Sequence, residues 1–370
     1  MKVAIVHPWF LMLGGGEKVL EAIASMYPQA DLYAMISEPN LVPETMRGMR
    51  LETSFLNKLP GITKYYRNLM ALYPTMIEKF DLSSYDLVIS SVGTATVGVN
   101  VAQDATHVCY CHSPQRSWWD EYAKRQRSLS PLASYAFTAF ASYLRMWEFS
   151  AAQRVDAFAA NSKYVAQRVK KYFCRESEVI YPPVDTQRGY IADKHDSYYL
   201  WVGRLGERKA VDLLIGACNK LNRRLVIVGT GSEEKRLKAM AGPTIEFLGY
   251  VPDASIPSLY ANCRAFLFAA NEDFGIAPVE AQSYGRPVIA YGHGGSLETV
   301  RVNREGQSNT GLFFDEQSVE SIVAAILRFE AREDCFVPTE IQAYAREFDT
   351  AIFVKKMYEF IDGMMESPAK

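Results

Sequence analysis

Short apolar runs alternate along this chain with segments whose apolar positions recur every three or four residues. The runs at Val3–His7, Asp31–Ile36, Asp86–Ser90, Thr106–Cys111, Ala157–Ala160 and Glu178–Tyr181 read as buried strands, with helices between them. Pro-rich, polar 181-YPPVDTQRGYIADKHDS-197 breaks the series and reads as an interdomain linker. A second series follows, YYLWVG, RLVIVG, IEFLG, RAFLFAA, PVIAY and GLFFD, each run leading through turn residues into a helical segment. Regular alternation of this kind predicts an α/β fold with two doubly wound parallel sheets. The tail 338-PTEIQAYAREFDTAIFVKKMYEFIDGMM-365 reads as two helices broken near Asp349 and Thr350, with Ile352, Phe353, Met357, Phe360 and Ile361 spaced as a docking face. The expected domains are 1–182, 183–348 and a terminal helix, 349–370.

Composition narrows this picture. At 370 residues the chain exceeds the ~250–300 at which a single core stops growing, so two domains are expected. A net charge of −2 supplies no global field toward nucleic acid or membrane, so any attraction for anions must be local. MKVAIVHPWF reads as a strand rather than a signal peptide, and the weakly polar run 131–144 falls short of the ~20 residues that span a bilayer; the expected location is cytoplasmic. Six cysteines without a paired framework fit a reducing compartment. In THVCYCH, Cys109 and Cys111 share one strand face while His112 points to the other, so no metal site is expected there.

Chemistry concentrates in loops that follow strands, where doubly wound sheets bind ligands. In 203-GRLGERK-209, Arg204 offers a planar fork and Lys209 a point charge, a pair suited to a diphosphate; a solvated basic turn is the alternative. In 271-NEDFGIAPVEAQSYGRPVIAYGHGG-295, Glu272 falls in a loop and Glu280 in the helix after it. The backbone N–H groups of Phe274, Gly275 and Ile276 at that helix start suit an anion, and the two carboxylates suit hydroxyls; together they suit a sugar nucleotide. Otherwise Glu272 caps the helix and Glu280 is a surface acid. In the first half, 7-HPWFLMLGGGEK-18 brings three glycines, Gly14, Gly15 and Gly16, that permit close backbone approach to a ligand. Nicotinamide-dinucleotide binding does not fit, because G-x-G-x-x-G spacing is missing and Met35-Ile36-Ser37 stand where an acid would end the second strand. His112, before Ser113-Pro114, stands at a ligand edge or serves structure. No G-x-S-x-G serine elbow occurs.

These motifs in this order, with 161-NSKYVAQRV-169, VIYPPVD and E-x7-E, resemble a retaining GT-B glycosyltransferase of the large family 4 type over nearly the whole chain. The run 110-YCHSPQRSWWDEY-122 further resembles bacterial mannosyltransferases of O-antigen and exopolysaccharide synthesis. The resemblance implies two Rossmann-like domains facing a cleft, with the C-terminal helix crossing back to the first. It implies that Arg204 and Lys209 hold the donor diphosphate, that Glu280 accepts from ribose, and that Glu272 with the amides of Phe274, Gly275 and Ile276 holds the donor sugar. His112 would contact the transferred sugar, and Gly15 and Gly16 would leave room where donor and acceptor meet. The implied activity is metal-independent transfer of a hexose, with GDP-mannose as best donor and a glycan or lipid-linked acceptor; no D-x-D pair stands near the donor loops, and no cofactor or nucleic-acid partner is expected. Asp273 stands where many relatives have glycine, which bears on which sugar fits. A sugar-nucleotide epimerase and a non-catalytic binding scaffold are the competing readings. Segments 55–80 and 122–147 mix cations with aromatic and aliphatic residues, as interfacial helices at a membrane do, or else pack on the first sheet.

Overall fold

The computed structural model describes residues 1–11, 14–91, 95–302 and 308–366. It divides into two compact units, Met1–Pro183 together with Phe353–Lys370, and Val184–Ile352.

In the first unit, β1 (Val3–Phe10), β2 (Asp31–Ser37), β3 (Leu51–Thr53), β4 (Leu87–Ser91), β5 (Thr106–Cys111), β6 (Ala157–Ala160) and β7 (Glu178–Val179) form one sheet ordered β3-β2-β1-β4-β5-β6-β7. Every pairing is parallel. Side chains alternate between the faces: Val3 and Ile5 join one cluster with the helix Gly15–Met26, and Ala4 and Val6 join another with Tyr66, Tyr73 and Ile77. β1 runs three residues past the expected His7 although it contains Pro8. Among the described residues it pairs beyond Val6 only with β2, and the proline, which has no N–H to give, falls in that stretch. The edge strand β3, three residues long, is too short to leave an alternating pattern.

The terminal helix Thr350–Glu366 contributes Phe353, Met357 and Ile361 to the first unit's core, and the Phe353 ring meets Tyr110 of β5 edge-on at 5.6 Å. Phe360 packs partly buried against the same cluster. Ile352, expected on that face, is 37% exposed and lies before the first buried turn.

The second unit repeats the plan with β8 (Tyr199–Val202), β9 (Leu225–Val228), β10 (Ile245–Gly249), β11 (Ala265–Phe268), β12 (Val288–Tyr291) and β13 (Gly311–Phe314), ordered β10-β9-β8-β11-β12-β13 and wholly parallel. The stretch read as a linker is tied down at its start. Val184 N donates to Phe348 O at 3.0 Å, and Thr186 Oγ1 donates to Asp349 Oδ2 at 2.5 Å. Burial would raise the Asp349 carboxyl, but hydrogen bonds from Thr186, Gln187 and the Ala351 amide outweigh it and hold the group below the usual carboxylate range.

Candidate active site

In each sheet the strand order reverses once, between β1 and β4 in the first unit and between β8 and β11 in the second. The loops leaving such a pair of strands part to opposite faces and open a crevice at their carboxyl ends. The sequence-expected residues fall at or beside the carboxyl ends of strands in each unit.

In the second unit, the loop after β8 carries Arg204, exposed, and then a short 3₁₀ turn Glu207–Lys209. Ala210, at φ +51°, turns the backbone into the helix Val211–Leu221. The loop after β11 carries Glu272 and leads through Gly275, at φ +93°, into the helix Ile276–Ser283. Lys209 Nζ donates to Glu272 Oε1, so the two loops that flank the switch point are joined by an ion pair, each side chain 30% exposed. The N-cap residue, Gly275, has no side chain with which to cap the helix. The Glu272 carboxylate is engaged with the Lys209 cation. Glu280 lies one turn into the helix and accepts from Tyr260 Oη at 3.0 Å.

Two glycine pairs make this geometry possible. A Cβ on Gly229 would lie 1.8 Å from Gly203 O, and one on Gly231 would lie 2.1 Å from Leu205 O, so the GTG turn after β9 can press on the Arg204 loop only as glycine. Likewise a Cβ on Gly294 would lie 2.5 Å from Glu272 O, and one on Gly295 would lie 2.3 Å from Phe274 Cα. Gly295 N donates to Glu272 O at 2.9 Å, so the GHGG turn after β12 braces the Glu272 loop from behind. The 229-GTGSEE-234 loop thus supports the basic loop. A polar hollow of about 220 Å³ lined by Asp196, Tyr198, Arg224 and Glu246 lies at the opposite, amino-terminal ends of the strands, with its arginine already paired to Glu246 at 2.8 Å.

In the first unit, the expected glycine loop 7–18 begins within β1 and ends in the first turn of a helix. Met12 and Leu13 lie outside the described residues; Gly14 is the N-cap, and Gly15 and Gly16 form the first turn of Gly15–Met26. A Cβ on Gly16 would lie 3.9 Å from His112 Cε1, which puts the glycine turn beside the histidine at the end of β5. His112 Nε2 is 3.2 Å from Ser91 Oγ at the end of β4. Sequence reading missed two neighbours. Among the described residues neither ring nitrogen of His7, on β1 and 2% exposed, finds a hydrogen bond, and its Nε2 stands 3.7 Å from Glu17 Oε1. Glu17, 7% exposed, enters from the helix's first turn. The signal was an acid directly after three glycines. Burial, then the charge of His7, lowers His112 to about 4 against the opposing pull of Glu17, so the imidazole is neutral at physiological pH. Cys109 and Cys111 point the other way, into an apolar cluster with Phe158 and Ala151.

The loop 113–121 after His112 is clamped from two helices. Trp118 Nε1 and Trp119 Nε1 donate to Glu148 Oε2 at 2.9 and 2.7 Å, and Arg168 binds Ser113 Oγ, Asp120 and, at 2.9 Å, Pro114 O. Burial pushes the Glu148 carboxyl up to about 7 despite those donors.

Comparison with known proteins identifies the family. The family "Glycosyltransferase Family 4" matches residues 13–188 and "Glycosyl transferases group 1" matches residues 186–348. The chain is 24% identical to the alpha-1,3/1,6-mannosyltransferase of Saccharomyces cerevisiae, over 83% of this chain and 73% of that one. It is 30% identical to a GDP-mannose-dependent alpha-(1-6)-phosphatidylinositol monomannoside mannosyltransferase of Mycobacterium tuberculosis, over 44% and 46%. In structure it is similar to Anabaena HepE, solved with UDP, at TM-score 0.73 and 19% identity, with 98% of this chain and 100% of that one covered.

Proposed function

Starting from a chain that belongs to the family 4 glycosyltransferases and folds as two GT-B-type parallel-sheet units, we propose a retaining hexosyltransferase that moves mannose from GDP-mannose to a glycan or polyprenyl-linked acceptor in bacterial surface polysaccharide synthesis, at the cytoplasmic face of the membrane. The observation that carries the reading is the convergence of Arg204, the Lys209–Glu272 pair and the start of helix Ile276–Ser283 at one switch point. A nucleoside diphosphate needs cations and backbone N–H groups for its phosphates and carboxylates for its hydroxyls, and the crevice brings a helix start, two cations and two carboxylates to one switch point. The mannosyltransferase relatives support mannose; that HepE was solved with UDP-glucose makes UDP-glucose the rival donor to test.

Arg204 and Lys209 hold the diphosphate and stabilise the negative charge that gathers on it as the glycosidic bond breaks, with the helix amides adding to the field. Glu272 neutralises Lys209 before the donor arrives, then turns to the sugar hydroxyls. Glu280 accepts from ribose. Retention follows front-face attack: the acceptor oxygen bonds to the anomeric carbon as the phosphate oxygen leaves, and that phosphate takes the acceptor proton. No step uses a metal, so activity should survive excess chelator. Neutral His112 beside Gly16 meets the transferred sugar as a hydrogen-bonding partner, not as a charge.

Calorimetry with GDP-mannose, UDP-glucose, UDP-GlcNAc and UDP-galactose tests the donor, and NMR of the product tests the anomer. Preference for GDP-mannose with an α-linked product supports the reading. Interconversion of free donor without acceptor would instead support an epimerase, and binding without turnover a scaffold.

A further inference from the structure

The segment 122–147 folds as two helices, Tyr122–Arg127 and Pro131–Ala152, the second 22 residues long. Its inward face buries Ala141, Leu144, Glu148 and Ala151. The opposite face is apolar too. Leu132, Tyr135, Ala139, Tyr143 and Met146 recur at spacings of three and four, with Leu132 83%, Tyr135 80% and Met146 68% exposed. At 1.5 Å per residue this stripe runs about 21 Å without a charged side chain. A helix apolar on both faces and uncovered on one marks an interaction surface rather than a scatter of surface residues.

Charge identifies the partner. The basic helix Tyr122–Arg127 is fixed alongside: Tyr122 Oη and Thr138 Oγ1 are 2.8 Å apart, and the Tyr122 ring stacks on Phe137 at 5.6 Å. Its Lys124, Arg125 and Arg127 are exposed, and from 122 to 147 no acid occurs. The segment 55–77 likewise carries Lys58, Lys64 and Arg67 and no acid; its Met70 packs into the cluster of Trp118, Ala141 and Leu144 beneath the long helix. A second copy of this chain meeting the patch across a two-fold axis would bring these cations against one another, an arrangement that opposes association. An anionic lipid surface pairs with the cations and accepts the stripe.

From this we infer that the outer face of helix Pro131–Ala152 lies in the headgroup layer of an anionic bilayer, with Lys124, Arg125 and Arg127 on lipid phosphates. The same helix holds Trp118 and Trp119 through Glu148 on its inner face, so docking sets the loop that follows His112 against the membrane surface. The inference is independent of which donor the enzyme takes, and its test does not read turnover.

Flotation of the full chain with vesicles of phosphatidylglycerol and phosphatidylcholine, against phosphatidylcholine alone, provides that test. The expected result is binding to the anionic vesicles, reduced at high salt, and at least about tenfold weaker in Leu132→Glu/Tyr135→Glu/Met146→Glu. Lys124→Glu/Arg125→Glu/Arg127→Glu should abolish the preference for anionic lipid. Both variants change exposed side chains and should keep the wild-type melting temperature and circular-dichroism spectrum, which excludes misfolding as the cause. Absence of vesicle binding at low salt, equal binding to both lipids, or wild-type binding by the apolar triple variant overturns the inference. So does a wild-type dimer in light scattering that the same triple variant dissociates, since the stripe is then covered by a second copy.

Discussion

The two switch points are built alike and furnished oppositely. In the second unit the side chains are charged, partly solvated and paired across two loops: Arg204, Lys209, Glu272. In the first, polar groups are buried and one is held neutral: His7 and Glu17 are almost wholly buried, and His112 is lowered to about 4. A diphosphate carries charge that must be matched by charge, at a point where solvent keeps the empty site tolerable. A sugar hydroxyl is neutral, and neutral donors and acceptors in a drier pocket serve it better. On the proposed reading the second unit supplies the charge that holds the diphosphate, with Glu272 and Glu280 for hydroxyls, and the first unit supplies a neutral imidazole for the transferred sugar.

The strongest break of that contrast is Glu272→Gln, expected to lower kcat by about two orders of magnitude, while bare nucleoside diphosphate affinity changes little; steady-state kinetics beside calorimetry reads both. Arg204→Ala or Lys209→Ala should each cost about 1.5–3 kcal/mol in donor binding and turnover together, because each removes a charge-assisted contact. Glu280→Gln should mainly raise KM, since ribose is bound equally in ground and transition states. A smaller effect concerns pH. His107 is fully buried beside Ser90 and lowered to about 3 by burial, then by Arg154, so the unfolded chain takes up its proton first as pH falls. Its contribution is complete above the unfolded value of ~6.5 and is lost as pH drops toward 3. Glu148, raised to about 7, acts in reverse, stabilising the fold as pH falls from 7 toward its unfolded ~4.3. His112, lowered to about 4, acts as His107 does, so the two histidines outweigh Glu148 and melting temperature should fall below about pH 6.5, more steeply in Glu148→Gln. Smallest is Ile352→Ala, expected within ~0.5 kcal/mol of wild type on a surface position, against ~3–5 for Phe353→Ala in the core; equal costs in chemical denaturation would return Ile352 to the docking face.

Much of the second unit's site was legible because its chemistry is local in sequence. Arg204 and Lys209 share one loop, Glu272 and Glu280 flank one helix start, and each follows a strand whose apolar run is plain. What sequence does not carry is which of these side chains meet: the Lys209–Glu272 pair joins loops 63 residues apart. The first unit's pocket was harder. His7 sits inside a strand and reads as part of an apolar run, and Glu17 reads as an ordinary first-turn acid; only the adjacency of β1 and the helix after it brings them together. The basic, aromatic segment 55–80 read either as an interfacial helix or as helices packed on the first sheet, and it is four short helical pieces that bury Leu56, Ile62, Tyr66, Tyr73 and Ile77 on the sheet. Gly61 and Pro74 break it, and its apolar residues face the core.

The division of labour between the two sites is tested most directly by isothermal calorimetry of GDP with wild type, Lys209→Ala and His112→Gln, each paired with its turnover number on GDP-mannose. The account predicts that Lys209→Ala loses about 10- to 150-fold in GDP affinity, whereas His112→Gln binds GDP as wild type does and still loses turnover. GDP affinity retained in Lys209→Ala, or lost in His112→Gln, would contradict it.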